Sequence, residues 1–355
     1  VLDTRIEILN IAVVADNPHS FENPKLVGVK KDFTDEPVVK KIEKVKKTKG
    51  FFVSVGNRAT ITTSPDGKVW KSFRVYGLSE EFLAGVTYGK NVKLLDGTKR
   101  ARINWDGRKL FVVVGFRGTN LTCGHCGDGG YRFEKGFPLS PGENLFGVTY
   151  GNGHFVTVGD SGTILTSTDG GSWKGHTSGI SDRLDGVTYG NGLFVTVGSR
   201  FILTSELGGS YEGYRWTKRT YGTSDDLWGV NYVNGTFIAV GANAVILSST
   251  DGITWTKRNS GGGSRTSAAL RGVAYGNGHF VAVGDSGTIL TSPDENSWSK
   301  RDSGTRKTLM KVSYGNSTFV VVGNSGTILT SPDGNSWTKR NSGTSEDLYG
   351  VTYSQ

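Results

Sequence analysis

One short stretch of sequence is repeated along this chain, and its clearest copy runs from Leu270 to Gly304, LRGVAYGNGHFVAVGDSGTILTSPDENSWSKRDSG. Turn residues separate four short apolar or β-branched runs in it: Gly272–Tyr275, Phe280–Val283, Thr288–Ser292 and Trp298–Arg301. Runs of this kind, joined by Gly, Asn, Asp and Ser, predict β-strands connected by hairpins. Four antiparallel strands in about 40 residues match one blade of a β-propeller, a fold that closes into a ring and so protects its sheet edges.

The number of blades follows from the run Phe-Val-x-Val-Gly, in which Ile once replaces the first Val. It begins seven times, at Phe52, Phe111, Phe155, Phe194, Phe237, Phe280 and Phe319. The chain then ends on Leu348–Tyr353, a first strand with no blade after it, while the first blade lacks a regular first strand. We therefore predict an all-β, seven-bladed β-propeller of four-stranded antiparallel blades, closed by the C-terminal strand pairing with Phe51–Val55. The alternative, in which Leu26–Val29 fills that place, is left open by the sequence.

The repeats fill the chain from residue 50 onward, which predicts one propeller domain over 50–355. We expect residues 1–49 to form an irregular N-terminal segment packed on the propeller, because apolar runs alternate there with charged residues. Blade two departs from the template through insertions at 90–109 and 118–141. Long insertions on a rigid scaffold often carry function.

The net charge of +9 comes largely from lysines at 30–49 and from Lys-Arg pairs on the predicted fourth strands. Basic residues on outer strands prevent edge-to-edge aggregation, and we favour this interpretation over nucleic-acid binding because no nucleic-acid-binding module is present. No run of 18 apolar residues occurs, so we predict no transmembrane segment. The chain starts with Val rather than Met and has no hydrophobic leader, which is typical of a mature or trimmed chain. We expect an extracellular or cell-surface monomer.

The two cysteines of the chain lie close together in Cys123-Gly124-His125-Cys126, inside the second insertion. No second motif of this spacing exists to complete a zinc site, and no helix is predicted after it to lower a thiol pKa. We therefore predict a Cys123–Cys126 disulfide. Half a zinc site completed by His125 remains an alternative; otherwise we expect no metal and no cofactor.

Four turns between predicted third and fourth strands share the form Ser-x-Asp-Gly-x-x-Trp. They run from Ser64 to Trp70, Ser167 to Trp173, Ser249 to Trp255 and Ser331 to Trp337. These turns resemble the Asp-box (BNR) repeat, although they are one residue shorter than its usual form. Asp-box propellers include sialidases, xyloglucan-degrading enzymes, lectin-like propellers and the photosystem II assembly factor. The resemblance implies that these Asp residues are structural and lie on the face away from any active site.

A sialidase is disfavoured by two departures from that family's pattern. The Arg-Ile-Pro motif expected before the first Asp-box is replaced by Arg58-Ala59-Thr60, and sialidases usually have six blades. The resemblance therefore indicates architecture and leaves the function open, because one fold serves unrelated chemistries.

Positions at which the repeats differ indicate a site, because the scaffold needs the same residue seven times and a ligand does not. One such position lies between the Leu and the Gly of each first strand: Ala84, Phe146, Asp185, Trp228, Arg271, Met310 and Tyr349. We predict that these residues surround one mouth of the central channel, where Trp228, Tyr349 and Phe146 stack on a sugar or another ring. Asp185 and Arg271 would then orient polar groups. The alternative is that these side chains merely plug the channel.

A second position lies two residues after the repeated Val-Gly, where a small polar residue would serve the hairpin. Three of its seven residues are arginines: Arg58, Arg117 and Arg200. They are expected on the same face, because the second-to-third hairpin and the connection between blades open on one side of a blade. The guanidinium fork matches carboxylate, sulfate or phosphate, which predicts an anionic ligand. The alternative is three solvated surface arginines.

The sequence contains no complete set of catalytic residues. No Ser-His-Asp set can be assembled, and Asp185 is the single carboxylate of the first ring, so glycoside hydrolysis would need a second one from Glu143, Asp225 or Asp226. We expect a secreted or surface propeller that binds carbohydrate or another anionic polymer on the channel face. One alternative is a polysaccharide-degrading lyase or glycosidase that uses the same face, with its catalytic residues unidentified. A second alternative is a protein-assembly scaffold with a protein partner.

Overall fold

The computed structural model describes residues 50–75, 77–78, 80–90, 92, 109–124, 132–136, 139, 142–205, 214–261 and 268–354. Within these ranges, 28 strands form seven four-stranded antiparallel sheets. The first strand of each sheet contacts the first strand of the next one, and the seventh sheet returns to the first, so the sheets form a ring. This arrangement confirms the predicted seven-bladed β-propeller.

Blades one to four contain the following strands. They are β1 Phe52–Gly56, β2 Thr60–Ser64, β3 Lys71–Arg74, β4 Leu83–Lys90, β5 Lys109–Gly115, β6 Asn120–Cys123, β7 Glu134–Lys135, β8 Leu145–Gly151, β9 His154–Gly159, β10 Ile164–Ser167, β11 Lys174–His176, β12 Leu184–Gly190, β13 Leu193–Gly198, β14 Phe201–Ser205 and β15 Thr217–Arg219.

Blades five to seven and the closing strand follow. They are β16 Leu227–Val233, β17 Thr236–Gly241, β18 Ile246–Ser249, β19 Thr256–Lys257, β20 Leu270–Gly276, β21 His279–Gly284, β22 Ile289–Ser292, β23 Ser299–Arg301, β24 Leu309–Gly315, β25 Thr318–Gly323, β26 Thr327–Ser331, β27 Thr338–Arg340 and β28 Leu348–Tyr353. Single 3-10 turns lie at Phe116–Gly118, Asp160–Gly162, Ala242–Ala244 and Asp285–Gly287. None of the described helices is long and apolar enough to cross a membrane.

The second strand of each blade is buried on both faces, which explains its nearly continuous apolar sequence. In β21, Phe280 and Ala282 face the cluster shared with blade five, while Val281 and Val283 face the cluster shared with blade seven. Successive side chains of a strand point to opposite faces, so one apolar run serves two interfaces between blades. The hydrophobic core is therefore a series of layers between neighbouring blades.

The turns between third and fourth strands are built from their own side chains. The Asp251 carboxylate accepts hydrogen bonds from the Ile253 and Thr254 amides, each 2.8 Å long, and the Trp255 indole donates to the Gly252 carbonyl at 3.0 Å. These amide bonds lower the pKa of Asp251 to about 2. An aspartate held in this way serves the turn, in agreement with the structural role that the Asp-box resemblance implies.

Strand β28 completes blade one, as predicted. It pairs with β1 in the register Phe52↔Tyr353, and the Phe51 and Ser354 backbones are joined by a 2.9 Å hydrogen bond. Because β1 lies between β2 and β28, the alternative in which Leu26–Val29 fills this place is wrong. Some of the predictions fall outside the described residues and stay predictions. They concern residues 1–49, His125, Cys126 and most of the insertion at 90–109.

Candidate functional site

Each first strand contains a β-bulge at the same place, where one residue of the strand has no partner in the neighbouring second strand. In β20, Leu270 pairs with Gly284 and Gly272 pairs with Val283, which leaves Arg271 between them. A bulge re-aims the side chain of its extra residue. The bulged residues are Ala84, Phe146, Asp185, Trp228, Arg271, Met310 and Tyr349, the seven that the sequence singled out.

The seven bulged residues line one cavity of about 290 Å³ inside the ring of first strands. First strands are the innermost elements of the ring, so this cavity is part of the central channel. Valines and glycines of the first strands complete the wall, together with four larger residues: Phe82, Phe116, Arg183 and Lys311. A volume of this size holds about ten water molecules, or one or two amino-acid side chains.

The three arginines of the second position lie on the same side of the ring but outside the cavity wall. In every blade, a backbone amide in the hairpin between the second and third strands donates a hydrogen bond to the carbonyl of the residue two positions before the bulge. In blade one this bond joins the Asn57 amide to the Asp347 carbonyl at 2.9 Å. This bond places Arg58, Arg117 and Arg200 at the mouth of the channel. Each has a left-handed backbone, with φ of 50°, 54° and 62°, which is an unusual conformation for arginine.

Aromatic rings form a continuous arc along blades one to three. The Tyr349 and Phe82 centroids are 4.2 Å apart, and Phe82 stacks on Phe116 at 4.0 Å. The rings of Phe116 and Phe146 are nearly perpendicular, with centroids 5.8 Å apart. Arg183 lies over the Phe146 ring at 4.7 Å and ends the arc. Much of each aromatic face is therefore covered by another ring or by a guanidinium.

Arg271 is held by its own blade. Its guanidinium forms two hydrogen bonds to the Asp285 carboxylate, at 2.6 and 3.1 Å, and lies 4.8 Å from the Trp228 ring centre. A bidentate pair that also stacks on an aromatic ring fixes the side chain. Arg271 thus covers part of Trp228, and an anion would have to compete with Asp285 for the guanidinium.

Asp185 combines an ion pair with deep burial. One carboxylate oxygen pairs with Arg183, while the other is buried and has no hydrogen-bond partner among the described residues. The side chain is 10% exposed. Burial raises the pKa of Asp185 to about 6, and the neighbouring Arg183 offsets this effect only in part. Asp185 therefore keeps its proton up to a higher pH than an exposed aspartate does.

Lys311 is a cavity residue that the sequence reasoning missed. It stands where the other first strands have the Gly that follows the bulge, and it is one of the residues that line the cavity. Its desolvation in the channel lowers the pKa of Lys311. The signal was present in the sequence, because six of the seven first strands have Gly at this position and only one has Lys.

Phe82 and Phe116 were missed for a related reason. Both stand at template positions next to those that were compared: Phe82 precedes the repeated Leu, and Phe116 follows the repeated Val-Gly. Comparison of every column of the repeat, rather than two, would have found them. Arg183 also precedes the repeated Leu and is thus the equivalent of Phe82 in blade four.

The arginines at the mouth differ in how they are paired. Arg58 binds Glu346 at 3.2 Å, and Arg74 binds the same carboxylate at 3.1 Å. Arg117 and Arg200 form no ion pair with any residue that the structure describes. The predicted anion-binding ring is thus reduced to these two cations.

The arrangement gives little support to catalysis by paired carboxylates. Asp225, one of the proposed partners of Asp185, accepts hydrogen bonds from Thr223 at 2.6 Å and Asn243 at 2.9 Å. These bonds lower the pKa of Asp225 and tie it to its own loop. No group of three or more His, Cys, Asp or Glu suited to a metal ion occurs in the described part of the chain.

The cysteine motif lies at the edge of what the structure describes. Cys123 ends β6 and is 1% exposed, so it belongs to the core between blades one and two. Its predicted partner Cys126 lies outside the described residues, and the disulfide stays a prediction.

Comparison with known proteins shows the fold. No protein-family model and no curated protein matches the sequence. Among solved structures, YCF48 bound to D1 peptide matches with a TM-score of 0.58 and 18% identity, over 79% of this chain and 89% of that one. YCF48 from Cyanidioschyzon merolae matches with a TM-score of 0.53 and 17% identity, over 75% and 88%. A computationally designed protein, Ika8, matches with a TM-score of 0.54 and 12% identity, over 85% and 87%. These matches support the β-propeller fold and do not confirm the Asp-box resemblance.

Proposed function

We propose that this propeller binds a segment of a partner protein at the channel mouth and serves as a protein-assembly scaffold. The observation that carries the proposal is the single cavity into which the bulges direct seven different residues. The residue differs in all seven blades at this position, while the Leu before it and the Val after the next residue are kept, which favours a requirement beyond the fold. The similarity to a propeller whose structure is described as bound to a peptide favours the same kind of ligand here.

The cavity suits a protein segment better than a sugar chain. Sugars bind on free, flat aromatic faces, whereas Phe82, Phe116 and Trp228 are partly covered by other rings or by Arg271. A volume of about 290 Å³ is small for an oligosaccharide but accepts an anchoring side chain of a peptide. Anchors of this kind, inserted into a preformed pocket, dominate the affinity of many protein interfaces.

Selection from a displayed random peptide library, in parallel with a glycan array, tests the proposal. We expect peptides that bind the wild-type propeller and lose at least about tenfold in affinity against Trp228→Ala, because truncation of a central aromatic contact removes a binding hot spot. Ile253→Ala is the matched control, since this residue is an exposed apolar side chain on a turn between third and fourth strands. It should leave the affinity unchanged.

The opposite result would identify the other ligand class. If no peptide binds through Trp228, and glycans bind the wild type but not Trp228→Ala, the propeller is a carbohydrate-binding protein and the scaffold proposal is wrong. Arg200→Ala distinguishes long-range attraction from contact: for an acidic ligand it should weaken binding and reduce its salt dependence, since exposed charges are screened by added ions. An extracellular or surface location stays part of the proposal.

A further inference from the structure

Lys311 occupies a position that the fold reserves for glycine. The equivalent residues of the other blades are Gly85, Gly147, Gly186, Gly229, Gly272 and Gly350. First strands approach closely here: a Cβ at Gly229 would lie 2.6 Å from the Arg271 carbonyl oxygen, and one at Gly85 would lie 2.7 Å from that of Phe146. A long side chain is therefore unfavourable for the fold at this position, which indicates that Lys311 has another purpose.

The charges of the cavity wall leave Lys311 without compensation. Arg183 is paired with Asp185, and Arg271 is paired with Asp285. Lys311 lines the same cavity but forms no ion pair with the described residues. Lys311 is partly buried, and an ammonium that is partly removed from water without a counter-ion costs free energy, which an anion in the cavity would recover.

We propose that the channel cavity binds a carboxylate, with the Lys311 ammonium as its ion-pair partner and the aromatic arc beside it as an apolar wall. This inference rests on the proposed function and deepens it. The carboxylate would belong to the partner segment, either as an acidic side chain or as the chain terminus. Both sources present the same planar anion on a short apolar stem, which the cavity volume accommodates.

The second polar group of the cavity fits this ligand. The unpartnered oxygen of Asp185 needs a hydrogen-bond partner, and the protonated Asp185 carboxyl can donate to a ligand oxygen. Since burial already raises the pKa of Asp185 towards neutrality, the proton is available at little cost. A bound carboxylate would in turn favour the charged form of Lys311 and so raise its pKa.

Acetylation of the intact protein tests the proposal at Lys311 directly. N-acetoxysuccinimide acetylates neutral amines, and peptide mass spectrometry gives the rate for each lysine. The probes are N-acetylglutamic acid α-amide against N-acetylglutamine amide, and N-acetylglycine against N-acetylglycinamide. Each pair compares a carboxylate with its uncharged amide. Lys339, an exposed lysine of β27, is the control in the same sample.

We expect a carboxylate probe to slow acetylation of Lys311 by the factor 1 + [L]/Kd, about tenfold near ten times its Kd, while Lys339 is unaffected. Protection by the glutamate probe assigns the site to an acidic side chain, and protection by acetylglycine assigns it to a chain terminus. The amide probes should give no protection. Equal protection by the amides, no protection by any probe, or failure of the reagent to reach Lys311 would each overturn the proposal.

Lys311→Gly separates this inference from the proposed function. The substitution restores the residue of the other blades, so we expect a stable propeller. Selected peptides with an acidic residue should lose at least about tenfold in affinity, the size of one charged hot-spot contact. If peptides bind through Trp228 and this variant binds them equally well, the carboxylate assignment is wrong while the scaffold proposal stands.

Discussion

Asp185 and Asp251 carry the same side chain in opposite surroundings. Asp251 accepts two backbone amides and has its pKa lowered to about 2, whereas Asp185 is buried in the channel and has its pKa raised to about 6. The hydrogen bonds of the turn favour the charged form, while desolvation disfavours it. Asp251 thus stabilises the fold, whereas Asp185 destabilises it near neutral pH and supplies a polar group to the cavity.

We predict that Asp185→Asn stabilises the protein in a pH-dependent way. A carboxyl whose pKa is raised on folding costs nothing below about pH 4, where both states are protonated, and costs most above about pH 6, where the folded state must give up its proton. The gain should therefore grow from near zero at low pH to about 3 kcal/mol at most at higher pH. Urea unfolding of both proteins across this range measures it.

The neighbouring substitution Asp182→Asn is the control. Asp182 is exposed, and its side chain forms no hydrogen bond within the described ranges, so its replacement should give no gain that grows with pH. A constant difference between Asp185→Asn and wild type at every pH would contradict the raised pKa. Arg183 retains its contact with Phe146 in this variant, so loss of its partner should cost little.

The glycine of the repeated Val-Gly connects each hairpin to the bulge that forms the site. Gly284 pairs with Leu270, and a Cβ there would lie 2.0 Å from the Ala269 carbonyl oxygen. The next residue, Asp285, donates its backbone amide to the same carbonyl at 2.8 Å and holds Arg271 through its carboxylate. The absence of a side chain at Gly284 therefore allows the hairpin to approach the first strand, and this approach positions the bulge and Arg271.

We predict that Gly284→Ala destabilises the protein by about 3 kcal/mol, because the added methyl group must displace backbone rather than a flexible side chain. Gly175→Ala in β11 is the matched control, since its Cβ would meet the Leu165 side chain at an ordinary 3.8 Å. The control should stay within about 0.5 kcal/mol of wild type. Chemical denaturation compares the two, and equal stabilities would show that the close approach is not a constraint.

Closure of the ring depends on a strand from the far end of the chain. Leu348 and Val351 of β28 are buried, and the Tyr353 ring lies 4.7 Å from Phe52. Without this strand β1 would present an open edge, and edges of this kind pair with other chains. The last strand of the chain, β28, therefore joins the two ends of the described propeller within blade one.

We predict that deletion of residues 348–355 abolishes the closed propeller and leads to association through the free edge of β1. Size-exclusion chromatography and thermal unfolding should show this loss. A synthetic peptide of residues 342–355 added in trans should restore a cooperative transition. The same peptide with Leu348→Asp should fail, because it places a charge in the core. Wild-type behaviour of the truncated chain would contradict the closure seen here.

Blade number and strand order follow from the sequence, because they depend on local signals that occur many times. The sequence favoured closure by the C-terminal strand over closure by Leu26–Val29, and the pairing of β28 with β1 decided between them. Alternating apolar runs, Gly-containing hairpins and an unmatched strand at the C-terminus each indicate the same architecture. The seven bulged residues were found for the same reason, since a departure from a template is visible without coordinates. A repeat therefore makes its own exceptions easy to recognise.

The tertiary structure decided which of these side chains can meet a ligand. Arg271 and Arg58 are occupied by Asp285 and Glu346, and the partner of Arg58 lies 288 residues away along the chain. Lys311 and Phe82 lie in the wall of a cavity to which every blade of the ring contributes. Pairing and desolvation depend on distances between blades, and periodicity along the chain does not record those distances.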